Sequence, residues 1–404
     1  MEISFTPVAV VAAVAVLAPL ALGLTGLRLP AIVLEILLGI VVGPQVLGWA
    51  EVDEPVEVLA LVGLAFLLLL AGLEIDLDRL RGRVLRLTGV GFAVSFALAL
   101  VVGYGLREAD LVSSPLLIAI ILSATGLGVI LPILKDAGET TTPFGRVVIA
   151  GASIAEVTPI VLLSLFFSGE TGSIGGKLVL LITFVVFVAA VAAAILGLQR
   201  SMRISDTLLK LQDTSAQIRV RGAFLLLAVF VVFASKFGLE AILGAFFAGA
   251  TLKLVDRDRM MTHAFLRTKL EAIGFGVFVP FFFVSTGMKL DVESLFEGGS
   301  TLVRVPIFLA ALLVVRALPA ALYRPLAERR SQLVAGGLLQ ATSLSLPVVA
   351  GQIGVELGLI GPESYVALVA AGLLSVIVFP LLALTLLRGR AAPSPAADAH
   401  PSHA

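Results

Sequence analysis

One carboxylate, Glu156, stands in Gly151-Ala-Ser-Ile-Ala-Glu-Val-Thr-Pro159, in the middle of a long apolar run. A charge at membrane depth costs about 2.5–3.5 kcal/mol on insertion scales, so an acid kept there points to ion or proton handling. The preceding apolar run holds Ser123-Ala-Thr-Gly-Leu-Gly-Val-Ile-Leu-Pro132, and a later one holds Ala341-Thr-Ser-Leu-Ser345 followed by Pro347. Gly126, Gly128 and Pro132 weaken the first as a helix; Ser343, Ser345 and Pro347 weaken the second. Interrupted helices at membrane depth need protein or water to satisfy the freed backbone groups, and their half-helix ends suit an ion site. The competing reading is a pair of kinks used for tight packing.

Two further charges are embedded in apolar sequence. Arg316 lies in Leu312-Leu-Val-Val-Arg-Ala-Leu-Pro319, where it either offsets negative half-helix ends and restrains Glu156 or snorkels to an interface. Glu35, in Leu34-Glu-Ile-Leu-Leu-Gly39, is a secondary candidate against a structural, hydrogen-bonded role. With no cysteine, thiolate metal sites and thiol catalysis are excluded, and the three histidines fall in a loop and the tail. No glycine-rich loop is followed by a phosphate-binding Lys-Ser/Thr, so no nucleotide site and no cofactor are expected. No catalytic triad is visible either.

The elements that must position these residues are transmembrane helices. The chain is 59% hydrophobic and 14% charged, with a mean hydropathy of +1.10 and zero net charge. This describes an all-α polytopic membrane protein in contact with lipid, and argues against nucleic acid. Thirteen apolar segments are read, near 6–25, 28–47, 55–73, 87–106, 113–134, 146–168, 178–198, 219–235, 239–254, 271–288, 303–323, 332–354 and 364–387. Lys and Arg divide 22 to 5 between the two sets of loops, with Arg316 counted in neither. The positive-inside rule then places the N-terminus outside and the C-terminus in the cytoplasm. The start, Met1-Glu2, lacks a basic leader region, so the first segment is expected to be retained. Residues 391–404 are small, polar and Pro-containing and are expected to be a disordered tail after a 1–390 membrane domain.

The chain repeats itself. Ala71-Gly-Leu-Glu-Ile-Asp-Leu77 echoes Thr286-Gly-Met-Lys-Leu-Asp-Val292, Ala124-Thr-Gly-Leu-Gly128 echoes Ala341-Thr-Ser-Leu-Ser345, and Ala31-Ile32 with Gly39 echoes Ala241-Ile242 with Gly249. Seven crossings separate each pair, so the second copy is inverted. Helical rise sets Glu156 roughly 15 Å in from Arg146, Thr125 roughly 15 Å from Lys135, Thr342 roughly 18 Å from Arg330 and Arg316 roughly 12 Å from Arg324. These four groups are expected to form one site near the bilayer midplane. Thr125 and Thr342, with Ser153 and Thr158, would complete an oxygen shell suited to a hard cation at Glu156.

Several stretches at family-like spacing carry a resemblance: Leu29-Pro-Ala with Glu35-Ile-Leu-Leu-Gly39 and Gly43-Pro44, Leu70-Ala-Gly-Leu-Glu-Ile-Asp-Leu77, Ser123-Ala-Thr-Gly-Leu-Gly-Val, Phe282-Phe-Val-Ser-Thr-Gly-Met288, and Leu374-Ser-Val-Ile-Val-Phe-Pro380. They resemble the monovalent cation:proton antiporter-2 family, which includes bacterial sodium/proton exchangers and Kef-type potassium efflux systems. The resemblance implies the sodium/proton antiporter fold, with crossed interrupted helices, interleaved core and dimerisation subdomains, an elevator-like motion and a homodimer. It places the family's two-residue acidic motif on Ala155-Glu156 and its membrane cation on Arg316. With alanine at the first motif position, electroneutral exchange of Na+ or K+ for H+ in the inner membrane is expected, and no enzyme activity. The alternatives are a sodium-coupled organic-anion symporter with Arg316 binding the substrate carboxylate, and a gated cation channel or transport-dead sensor.

Overall fold

The computed structural model describes residues 5–25, 30–74, 82–167, 174–199, 217–255, 263–290 and 299–388. The tail from Ala391, the loop of Asp76, Arg79 and Arg81, and the basic stretch 200–216 lie outside the described residues, as do the side chains of Pro132 and His263. Among the described residues all regular structure is helical. Among the described residues ten helices are long and apolar enough to cross a membrane, and Ala31–Val42, Pro115–Leu131 and Ala241–Val255 are shorter apolar helices. The shorter ones fall in the second, fifth and ninth segments read from sequence.

Local chemistry explains the departures from the expected limits. Segment 2 is read as 28–47, yet its helix, α2 (Ala31–Val42), stops after twelve residues. Pro44 cannot continue the hydrogen-bond ladder, and the chain folds back with Leu47 N–H on Val41 O at 3.1 Å and Gly48 N–H on Gly43 O at 2.8 Å. Segment 10 divides into α11 (His263–Ile273), a π-helical turn at Gly274–Phe278, and α12 (Val279–Lys289). Pro280 lacks the donor that an α-turn would direct to Gly276, and a π-turn absorbs that defect.

The helices pack in two groups. In the first, α1 (Thr6–Thr25) lies on α2 and α12, α2 on α12, α3 (Glu54–Glu74) on α10 (Ala241–Val255), and α9 (Ile218–Lys236) on α10. In the second, α4 (Gly82–Glu108) packs on α7 (Pro143–Phe167), and α13 (Gly299–Ala317) on α16 (Pro362–Arg388). That group also holds two broken helices. One is α5 (Pro115–Leu122) with α6 (Leu127–Asp136); the other is α14 (Arg330–Gln340) with α15 (Ser345–Glu356). The remaining long helix, α8 (Ile174–Gln199), touches α7 in one group and α9 and α10 in the other.

The sequence repeat reappears as packing. A Cβ on Gly39 would lie 2.3 Å from the Val284 carbonyl oxygen, and one on Gly249 would lie 1.9 Å from that of Leu69. A Cβ on Gly287 would lie 2.1 Å from Ile36 O, and one on Gly72 would lie 2.2 Å from Phe246 O. Shifting segment 2 by 210 residues turns Ile36 and Gly39 into Phe246 and Gly249; shifting segment 3 by 215 turns Leu69 and Gly72 into Val284 and Gly287. The α2–α12 and α10–α3 interfaces are therefore copies of each other with the halves exchanged. Only glycine permits backbones this close.

Candidate ion-binding site

Both breaks are stretches of a few residues whose backbone groups bond to protein. Ser123 ends α5 with its hydroxyl on Ile120 O at 2.9 Å. Thr125 N–H then donates to Ala155 O at 3.2 Å, and Gly126 N–H donates to Thr342 O at 2.9 Å. In the partner break, Ser343 N–H donates to Ser375 Oγ at 3.1 Å, and Ser375 in turn donates to Ser343 O at 3.1 Å. The two breaks thus meet directly, with Ala155 of α7 hydrogen-bonded to the first. Neither proline stands in a break. Pro347 occupies the first turn of α15, where a missing N–H costs nothing, and Pro132 lies within α6.

The crossing sorts charge by helix polarity. A cavity of about 730 Å³ is lined by Glu156, Glu74, Gly126, Gly128, Val129 and Ser345, with apolar side chains from α2, α3 and α16 around them. Glu156 lies beside the backbone N–H of Leu127, the first residue of α6. Ser345, the first residue of α15, shares the same cavity. Helix N-termini carry partial positive charge and favour an anionic group. On the other side, Arg316 is only 4% exposed and its Nε donates to Thr125 Oγ1 at 2.9 Å. Its Nη1 donates to Ser95 Oγ at 3.0 Å, its Nη2 to Gln340 Oε1, and its Nε also approaches Gln340 O at the end of α14. A cation at a helix C-terminus is the favourable converse.

The sequence-derived residues therefore fall into separate places. Glu156, Gly126, Gly128 and Ser345 face the cavity. Thr125 belongs to the arginine network, donating its own proton to Gln340 O at 2.6 Å. Thr342, in the break, donates to Leu338 O of the preceding α14 at 3.2 Å, and Ser153 donates to Ile149 O of its own helix at 3.0 Å. Thr158 is half-buried, and Glu35 is buried in α2 with one carboxyl oxygen lacking a hydrogen-bond partner; neither lines this cavity. Among the described residues no ion pair joins Arg316 to Glu156.

Three participants escaped the sequence reading. Ser95 and Gln340 bind Arg316, and Gln340 Nε2 donates to Val148 O at 2.8 Å. Tyr323, in a 3-10 helix Pro319–Leu326, is buried beside Gly151, where a Cβ would lie 2.4 Å from its hydroxyl. Glu74 also lines the cavity; its stretch Gly72-Leu-Glu-Ile-Asp76 reads from sequence as an interfacial charge belt, with the mouth of an ion funnel as the alternative. Gln340 was findable, since an amide in Gly336-Gly-Leu-Leu-Gln340 meets the same depth criterion as Thr342. Ser95 carries no comparable signal.

The transmembrane sodium/hydrogen exchanger family matches residues 12–388. The chain belongs to that family. A putative Na+/H+ antiporter, YjbQ of Bacillus subtilis, is 30% identical over 393 residues; the match covers 94% of this chain and 62% of that protein. The chain thus spans somewhat less than two thirds of that relative. An Na+/H+-K+ antiporter of Bacillus cereus, GerN, is 26% identical over 362 residues, covering 87% of this chain and 88% of GerN. The solved structure of the sodium proton antiporter MjNhaP1 from Methanocaldococcus jannaschii superposes with a TM-score of 0.65 at 18% identity, covering 95% of this chain and 99% of that one. That likeness shows the antiporter fold.

Proposed function

We propose that the protein exchanges a monovalent cation, Na+ or K+, for a proton across the membrane, with Glu156 holding the two in turn. The observation that carries this reading is a carboxylate, Glu156, at a half-helix N-terminus, facing a largely apolar cavity where two broken helices cross. A carboxylate so placed takes a proton or a hard cation, and one excludes the other. Family membership and the names of the relatives support the same exchange, and GerN supports including K+.

The cation shell is assigned to Glu156, the Ser345 hydroxyl and the cavity-facing backbone of Gly126–Gly128. Thr125 and Arg316 act behind it, because their polar atoms are already engaged with one another and with Gln340. Arg316 is thus a positioning residue that neutralises the C-terminal end of α14. The symporter alternative needs Arg316 to meet a substrate carboxylate, and its guanidinium points into a buried protein network instead. With Ala155 beside Glu156, one proton replaces one monovalent cation per cycle, so exchange is electroneutral.

The wider arrangement follows from this reading. Taking each of the ten long and three shorter apolar helices among the described residues as one crossing gives thirteen, with the N-terminus outside and the C-terminus in the cytoplasm of a cell whose inner membrane houses the protein. The group holding the broken helices moves as a core against the α2–α3–α10–α12 scaffold, and a second copy of the chain dimerises through the scaffold. The test is proton flux in proteoliposomes under gradients of Na+, K+ and Li+. Glu156→Ala abolishes cation-driven flux in a protein that still reconstitutes; an undiminished rate refutes the assignment.

A further inference from the structure

Glu74 is a second carboxylate on the cavity, and nothing in the exchange cycle above uses it. It is the last residue of α3, and Gly72, pressed against the Phe246 carbonyl, fixes that helix end against α10. Among the described residues, those lining the cavity besides Glu156, Glu74 and Ser345 are glycine, proline or apolar side chains, so Glu74 is the other anionic oxygen source among them. A cation leaving water for such a space needs oxygen ligands along its way.

The counter-ion of Glu74 is loosely held. Arg267 on α11 reaches Glu74 Oε1 at 3.4 Å through Nη2, while its Nε donates much more closely to Glu271 one helical turn on. Arg267 is therefore satisfied by its own helix when it releases Glu74. Among the described residues Lys253 on α10 and Glu271 also act on Glu74, and Glu74 and Glu156 repel each other. Phe275, displaced by the π-turn directly after α11, reaches the same cavity.

The repeat gives an independent comparison. Its counterpart of Glu74 is Lys289, which pairs with Glu57 at 3.1 Å and faces a smaller cavity of about 210 Å³ with Gln352, Glu356 and Tyr365. Framework positions of the repeat keep their type, as Gly72 and Gly287 do; this position reverses its charge. Glu74 is thus a feature of one mouth rather than of the repeat.

We propose that Glu74 is a waiting site for the monovalent cation between solvent and Glu156, and that Arg267 is its exchangeable counter-ion, moving onto Glu271 when a cation arrives. This rests on the exchange function proposed above.

The experiment measures apparent KM for Na+ on each face separately, in proteoliposomes with protein orientation determined. Glu74→Gln raises KM on the Glu74 face about threefold or more, by a larger factor than the maximal rate falls, and Glu74→Asp recovers part of the loss. Arg267→Gln lowers KM on that face, and the double variant behaves like Glu74→Gln. KM on the Lys289 face is the same as wild type in all of them. If Glu74 and Arg267 were only a structural pair, both single variants would shift in the same direction, on both faces, and the proposal would fall. A wild type with no cation-driven proton flux would instead remove the exchange reading itself.

Discussion

Glu156 and Arg316 show how two opposite charges can share one helix crossing without pairing. The N-terminal ends of α6 and α15 face the acid, and the C-terminal end of α14 faces the base. Among the described residues Glu156 therefore has no ion pair with Arg316, which is held by Thr125, Ser95 and Gln340. Removing the guanidinium strands several buried acceptors at roughly 1–3 kcal/mol each. Arg316→Ala is expected to lower the thermal midpoint in detergent by several degrees and to slow exchange, with Arg316→Lys intermediate because lysine lacks the planar fork. Gly151 is tuned to the same network, since a Cβ would meet both Tyr323 Oη and Gln340 Nε2. Glu156→Asp retains a carboxylate and is expected to retain exchange with altered cation affinity. In the proposed cycle a proton and a cation compete for Glu156, so apparent KM for the cation should fall as pH rises.

At the scale of elements, close approach of α2 to α12 and of α10 to α3 fixes the scaffold. Gly249→Ala places a Cβ against rigid backbone and is expected to cost about 1–3 kcal/mol, with Gly72→Ala, Gly39→Ala and Gly287→Ala behaving alike. Gly105→Ala, with open space around its Cβ, is the control and should be neutral or slightly stabilising. Thermal unfolding in detergent measures all five. These glycines were legible in the sequence because the repeat aligns them, and so were the helical segments, whose long apolar runs need no tertiary information. The breaks were legible as regions, through Thr125-Gly126 and Thr342-Ser343. What pattern could not supply was direction. Thr125 and Glu156 lie at similar depth, and depth alone drew them into one shell, yet the first faces α14 and the second faces the cavity. Counting rise along a helix gives height in the membrane and leaves azimuth to packing, which also hid the link from Ser95 to Arg316.

For the whole molecule, the larger cavity opens beside Glu74 and Glu156, while its repeat counterpart beside Lys289 is smaller. In the proposed exchange cycle this asymmetry corresponds to one end state, with the core's movement exchanging the two cavities. Electroneutral exchange predicts that steady transport is indifferent to an imposed membrane voltage; a clear voltage dependence would require a second titrating group in the cycle. The central claim is that one carboxylate holds proton and cation by turns, and proton release from purified protein in weakly buffered detergent tests it most directly. Adding Na+ or K+ to wild-type protein should release close to one proton per chain, and Glu156→Gln, folded to the same thermal midpoint, should release none. Undiminished release from Glu156→Gln would contradict the account.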